Sequence, residues 1–144
     1  MYRKRWLAMV DYKCILVDPP WPLYGGGSRP RTDGGDRGAA RGAQKHYPLL
    51  DVDEIVPTIM GSGHWKPDPV GCHLWLWVPS GFLPHGLRII EQLGFRYITN
   101  AVWIKDRIGM GYYLRGKHEL LLFSVIGKLK PLSRCQPSVI SAKR

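Results

Sequence analysis

The apolar and polar positions of the chain fall into short blocks with sharp ends. Cys14, Ile15, Leu16 and Val17 suit a buried strand, and Asp18, Pro19, Pro20 and Trp21 follow at once. The prolines must end the strand, because neither can donate to a ladder and each restricts the residue before it. In HYPLLDVDEIVPTI, Asp51 and Glu54 have capping-box spacing, which predicts a short helix. Pro57 is tolerated there only if that helix starts late or is brief. The run HLWLWV, residues 73–78, is aliphatic and aromatic throughout and predicts a strand buried on both faces. From about Ser80, Leu83, Leu87, Ile90 and Leu93 recur at near-helical spacing, with Gly94 placed to stop the helix. Residues 97–105 and 118–126 read as two further strands around a glycine-bearing loop, 106–116. The tail from Lys128 is basic, contains proline and shows no clear element.

Strands alternating with helical patterns predict an α/β fold, a sheet with helices on both faces, in a single domain spanning 1–144. Ligands of such sheets collect beyond the carboxyl ends of the strands, which is where Asp18 to Trp21 fall.

Composition changes this picture in one respect. A hydrophobic content of 44% with 22% charged residues is that of an ordinary globular protein, and six Trp argue against disorder. The formal net charge of +10 and pI near 9.8 are not ordinary. So much positive charge attracts polyanions, which makes nucleic acid the leading partner class, ahead of an anionic membrane surface or no partner at all. Much of the charge sits in residues 25–45, a stretch rich in Gly and Arg without apolar periodicity, which reads as a mobile loop. Its Arg29, Arg31, Arg37, Arg41 and Lys45 suit a clamp on a phosphate chain, or else are scattered charges on a linker. Both readings hold if the loop orders on binding.

The cysteines, Cys14, Cys72 and Cys135, are odd in number and unpaired in spacing, so neither a disulfide framework nor a zinc module is expected. Adjacent Cys72 and His73 would point to opposite faces of a strand, a poor chelate, and no metal site is expected. With no export signal and no apolar run of about 20 residues, the expectation is a cytoplasmic protein off the membrane.

The corner Asp18-Pro19-Pro20-Trp21 has two local readings: a turn followed by a core tryptophan, or a functional corner. DPPW after an apolar strand resembles the catalytic motif, D/N-P-P-aromatic, of amino-group methyltransferases that use S-adenosylmethionine. Further stretches resemble one branch, the MT-A seventy family of N6-adenine methyltransferases: KHYPLLDVDEI, LWLWV, AVWIK and GMGYYLRGKHELLLF, in that order. The resemblance covers residues 12–127 and implies a Rossmann-like methyltransferase sheet, S-adenosylmethionine as methyl donor, and adenine in nucleic acid as acceptor. The compactness of the chain favours DNA over RNA by family habit.

The same resemblance assigns roles. The Asp18 carboxylate and the Pro19 carbonyl would accept hydrogen bonds from the adenine amino group, favouring its pyramidalisation and freeing its lone pair. Asp18 is then a positioning acceptor more than a general base. Pro20 stiffens the corner, and Trp21 would pack on the base, a contact worth about 1–3 kcal/mol. Asp18, Pro19 and Tyr47 would border the cofactor, with Tyr47 also near the base, or else Tyr47 simply packs beside Pro48. Lys105 and Arg115 would meet phosphate or else remain solvated charges. Glu119 matches a recurrent acid of the family, though a strand-start acid also serves as a structural ion pair.

The resemblance stops at PSVISAKR, in the basic tail 128–144. The family's HSxKP-like, LELFAR-like and GW…GNE-like stretches have no counterpart in the chain. A sheet incomplete at its C-terminal side is therefore expected, with impaired cofactor binding or with another subunit, homo- or hetero-oligomeric, supplying the rest. The rival to an active enzyme is a nucleic-acid-binding partner subunit without activity.

Overall fold

The computed structural model describes residues 11–22, 48–109, 113–133 and 135–143. They form an α/β fold: a five-stranded mixed sheet and two α-helices. The elements run β1 (Cys14–Val17), α1 (Val52–Gly61), β2 (Gly71–Val78), a single 3-10 turn (Ser80–Phe82), α2 (Leu83–Gln92), β3 (Arg96–Lys105), β4 (His118–Gly127) and β5 (Val139–Ala142). Strand order is β1-β2-β4-β3-β5. β1 and β2 are parallel, β4 is antiparallel to both β2 and β3, and β5 is parallel to β3.

Each helix follows from local chemistry. At the start of α1 the Asp51 N–H donates to Glu54 Oε2 at 2.9 Å, the return half of the capping box. Pro57 is the sixth of the ten residues of this helix, which continues past it with one N–H missing from the ladder. α2 ends at Gln92, and two residues on stands Gly94, whose φ of 80° is open to glycine at no steric cost.

The core lies between the sheet and the two helices. Cys72, Leu74, Leu76 and Val78 of β2 pack with Ile55 of α1 and with Ile89 and Ile90 of α2, and Leu122 of β4 joins them. Ile15, Val17, Leu120 and Ile126 pack against this cluster from the same side of the sheet. The expectation of helices on both faces is therefore met on one face only among the described residues. The reason is topological. Both β1-α1-β2 and β2-α2-β3 cross between parallel strands while stepping the same way along the sheet, and right-handed crossovers taken in one direction place their helices on one side.

Three expectations are corrected in detail. β2 is not buried on both faces: His73, Trp75 and Trp77, between the buried positions, are only half-buried. The inward stripe of α2 is Gly86, Ile89 and Ile90, followed by Leu93, while Leu87 is exposed. A Cβ on Gly86 would come 2.7 Å from Val78 Cγ2, so a glycine here lets the helix lie close on the strand. The basic tail does hold an element, β5, paired with residues 102–105 of β3. No helix among the described residues is long and apolar enough to cross a membrane.

Candidate functional site

Parallel β1 and β2 point their carboxyl ends the same way, and antiparallel β4 begins at that same end. The DPPW corner, the end of β2 and the first residues of β4 thus meet along one edge of the fold.

The corner is pinned from several directions. The Trp21 N–H donates to the Pro19 carbonyl at 2.8 Å, a tight turn, and the Leu50 N–H donates to the Pro20 carbonyl at 3.0 Å. The Trp21 indole N–H donates to the Trp77 carbonyl at 2.9 Å, and its ring packs on Phe82 with centroids 5.3 Å apart. Trp21 is only 4% exposed and Pro19 is buried. This is the arrangement of the core-tryptophan alternative, and stacking on a base would require the ring to leave this position. Each proline carbonyl already accepts one hydrogen bond, which leaves each a second lone pair.

Asp18 behaves differently. It stays exposed while the residues after it turn inward. Its surroundings nevertheless strip part of its hydration, which raises its carboxyl above the usual range, and the charge of Glu119 raises it further. The charge of Glu119, near the start of β4, thus opposes ionisation of Asp18 just past the end of β1.

Glu119 stands opposite Trp103 in the β3–β4 register and forms an ion pair with Lys105, whose side chain is 14% exposed. The Lys105 ammonium also lies 5.5 Å from the Trp103 ring centroid. Lys105 is therefore engaged within the protein, in the structural ion pair that was one reading of Glu119. Arg115 is exposed, and its Nε–H donates to the Gly109 carbonyl at 3.1 Å, which ties it to its own loop. Tyr47, Arg29, Arg31, Arg37, Arg41 and Lys45 lie outside the described residues.

Four residues near these strand ends were not assigned to the site from the sequence. Trp77 supplies the carbonyl that holds Trp21, and its ring meets Trp103 edge-on at 6.1 Å. Phe82 supplies the ring on which Trp21 rests. Ser80 Oγ and His118 Nε2 are in hydrogen-bond contact at 3.2 Å. The available signal was position: Trp77 and Ser80 bracket the carboxyl end of the strand parallel to β1, and such ends collect function.

Charge is unevenly shared. The described residues hold eleven of the 21 Lys and Arg and nine of the eleven Asp and Glu, so their charge is nearly balanced and the excess lies outside them. Among the described residues no group of three or more His, Cys, Asp or Glu could hold a metal ion. No family model matches the chain, and no curated protein matches its sequence.

Proposed function

We propose that the chain carries the catalytic corner of an S-adenosylmethionine-dependent N6-adenine methyltransferase acting on nucleic acid, with DNA favoured over RNA. The observation that carries this reading is the contrast within DPPW. Proline and tryptophan are locked into the protein while the one acid stays open at the carboxyl end of a parallel strand. A group held this rigidly suits alignment, which is the main contribution an enzyme makes to an in-line methyl transfer. The crossover arrangement of β1, α1 and β2 supports a Rossmann-like methyltransferase sheet as its setting.

When bound, S-adenosylmethionine supplies an activated methyl group on a sulfonium cation. The described residues fit it in charge, because a cation beside Asp18 offsets the Glu119 charge that helps to raise the Asp18 carboxyl. Asp18 and Pro19 are the described residues that would border it, joined in this reading by Tyr47. Asp18 accepts a hydrogen bond from the adenine amino group, and the second lone pair of the Pro19 carbonyl can accept another. Trp21 acts as a buried buttress of the corner.

Asp18→Ala is expected to cut methyl incorporation into adenine-containing DNA by about 100-fold or more, by analogy with removal of one preorganised hydrogen-bonding group. Incorporation equal to that of the parent protein overturns the assignment. Calorimetric titration with S-adenosylmethionine tests cofactor binding separately. RNA offered in parallel decides the acceptor.

A second reading, a nucleic-acid-binding partner subunit without activity, is favoured by one observation. Both described helices cover the same face, which leaves an aromatic face of the sheet without a helix among the described residues. A chain folded by circular dichroism that binds nucleic acid but not S-adenosylmethionine is the result this second reading expects.

A further inference from the structure

We infer that an open groove at the β3–β4 strand ends, lined by Val102, Ile104, Lys117 and His118, seats the sugar-phosphate backbone of a single-stranded nucleic acid. The inference rests on the nucleic-acid part of the proposed function and not on methyl transfer. The groove measures about 320 Å³, near the small end of the roughly 300–1,000 Å³ that ligand pockets span, so it suits a nucleotide unit and not a duplex.

Its lining has two chemistries. Ile104, 40% exposed, stands directly opposite His118 in the β3–β4 register, and Val102 stands opposite Leu120 on the same side of the sheet. These aliphatic side chains form a floor suited to the apolar face of a sugar. The rim is polar: Lys117 and His118 are both exposed, and Ser80 Oγ lies 3.2 Å from the imidazole. A lysine and a hydroxyl at the rim are groups that contact phosphate oxygens.

Lys117 is the cation at this place that is free to do so. Lys105, the neighbouring lysine on β3, is occupied by Glu119, whereas the Lys117 side chain forms no ion pair among the described residues. The main chain of Lys117 is fixed, because its carbonyl accepts the Lys105 N–H at 2.9 Å. The anchored backbone thus presents an uncommitted ammonium beside the groove, at the end of the sheet that also carries Asp18.

The test is fluorescence anisotropy with a short fluorescein-labelled single-stranded oligodeoxynucleotide, without cofactor, between about 50 and 200 mM salt. Lys117→Ala should weaken binding about 3- to 10-fold and flatten the plot of log affinity against log salt by about 0.7, the loss of one phosphate contact on a single strand. Lys117→Arg should restore both quantities. A Lys117→Ala protein of parental circular dichroism with parental affinity and salt slope overturns the inference, as does an arginine variant that behaves like the alanine one. Absence of binding by the parent overturns the nucleic-acid reading along with it. The two failures are thereby distinguished.

Discussion

The two faces of the sheet are built from alternate residues of the same strands, yet they solve the problem of covering apolar surface differently. On one face Leu74, Leu76 and Val78 are aliphatic and at most 1% exposed, sealed by α1 and α2. On the other face Trp75 and Phe123 lie 4.5 Å apart, His73 meets Phe123 at 5.0 Å, and Trp77 meets Trp103 at 6.1 Å. Aliphatic side chains depend on a second layer to exclude water. Broad rings shield one another in tilted and edge-on contacts across the face of the sheet and remain half-buried without one. The candidate site follows the same division: Trp21 is anchored in the sealed layer, whereas Glu119 belongs to the ringed face through its register with Trp103.

Substitutions on each face test this division. The largest effect is expected on the sealed face, where Leu76→Ala removes a fully buried side chain between sheet and helices and should cost about 2–5 kcal/mol in urea unfolding. Gly86→Ala should cost less, a net of at most about 2 kcal/mol. The added methyl meets both Val78 methyl groups, an overpacking cost of about 1–3 kcal/mol, against which better helix propensity returns about 1 kcal/mol. On the ringed face Trp75→Ala should cost only about 1–2 kcal/mol, below the full burial value for so large a side chain. A Trp75→Ala loss as large as that of Leu76→Ala would mean that the two faces are equally sealed.

Smaller effects concern Glu119 and Asp18. Glu119→Gln leaves the largely buried Lys105 ammonium without its partner. It should cost about 1 kcal/mol, modest because the Glu119 side chain is 35% exposed. The smallest effect is that of Asp18→Asn, and its sign is informative. The Asp18 carboxyl is raised in the folded protein, so on raising the pH from about 4 the unfolded chain loses this proton first. Parent stability should therefore fall slightly as pH rises through the raised value, and the asparagine variant should lack that fall. Thermal unfolding at a series of pH values measures it. Methyl transfer should run the other way in the parent, declining as acid protonates Asp18.

Much of the frame was legible in the sequence because it depends on local signals. The apolar run before two prolines marks β1 at Cys14–Val17, the Asp51–Glu54 spacing marks the start of α1, and Gly94 marks the end of α2. Less legible was whatever depends on partners distant in the chain. HLWLWV reads as uniformly apolar, and only the positions of α1 and α2 divide its aliphatic from its aromatic residues. VISA is too short to announce a strand, and β5 exists through its pairing with β3. The exposed Leu87 fits a helical period as well as its buried neighbours do, but Gly86 sets which side of α2 can approach Val78.

The candidate site divides in the same way. Asp18 was legible from the corner that contains it, whereas the pairing of Lys105 with Glu119 arises from β-register. Lys105, which sequence position alone offers to a phosphate, is thus held by the protein, and Lys117 lies beside the groove.

The placement of β4 between β2 and β3 has a consequence for the order in which the fold can assemble. During synthesis β2 and β3 emerge before the strand that joins them, and neither pairs with the other in the finished sheet. Until residues 118–127 leave the ribosome, β1-β2 and β3 are separate pieces with unpaired inner edges. Such edges pair readily with other chains. Acquisition of protease resistance by nascent chains of increasing length should therefore come late and in one step, when His118–Gly127 slides between its neighbours.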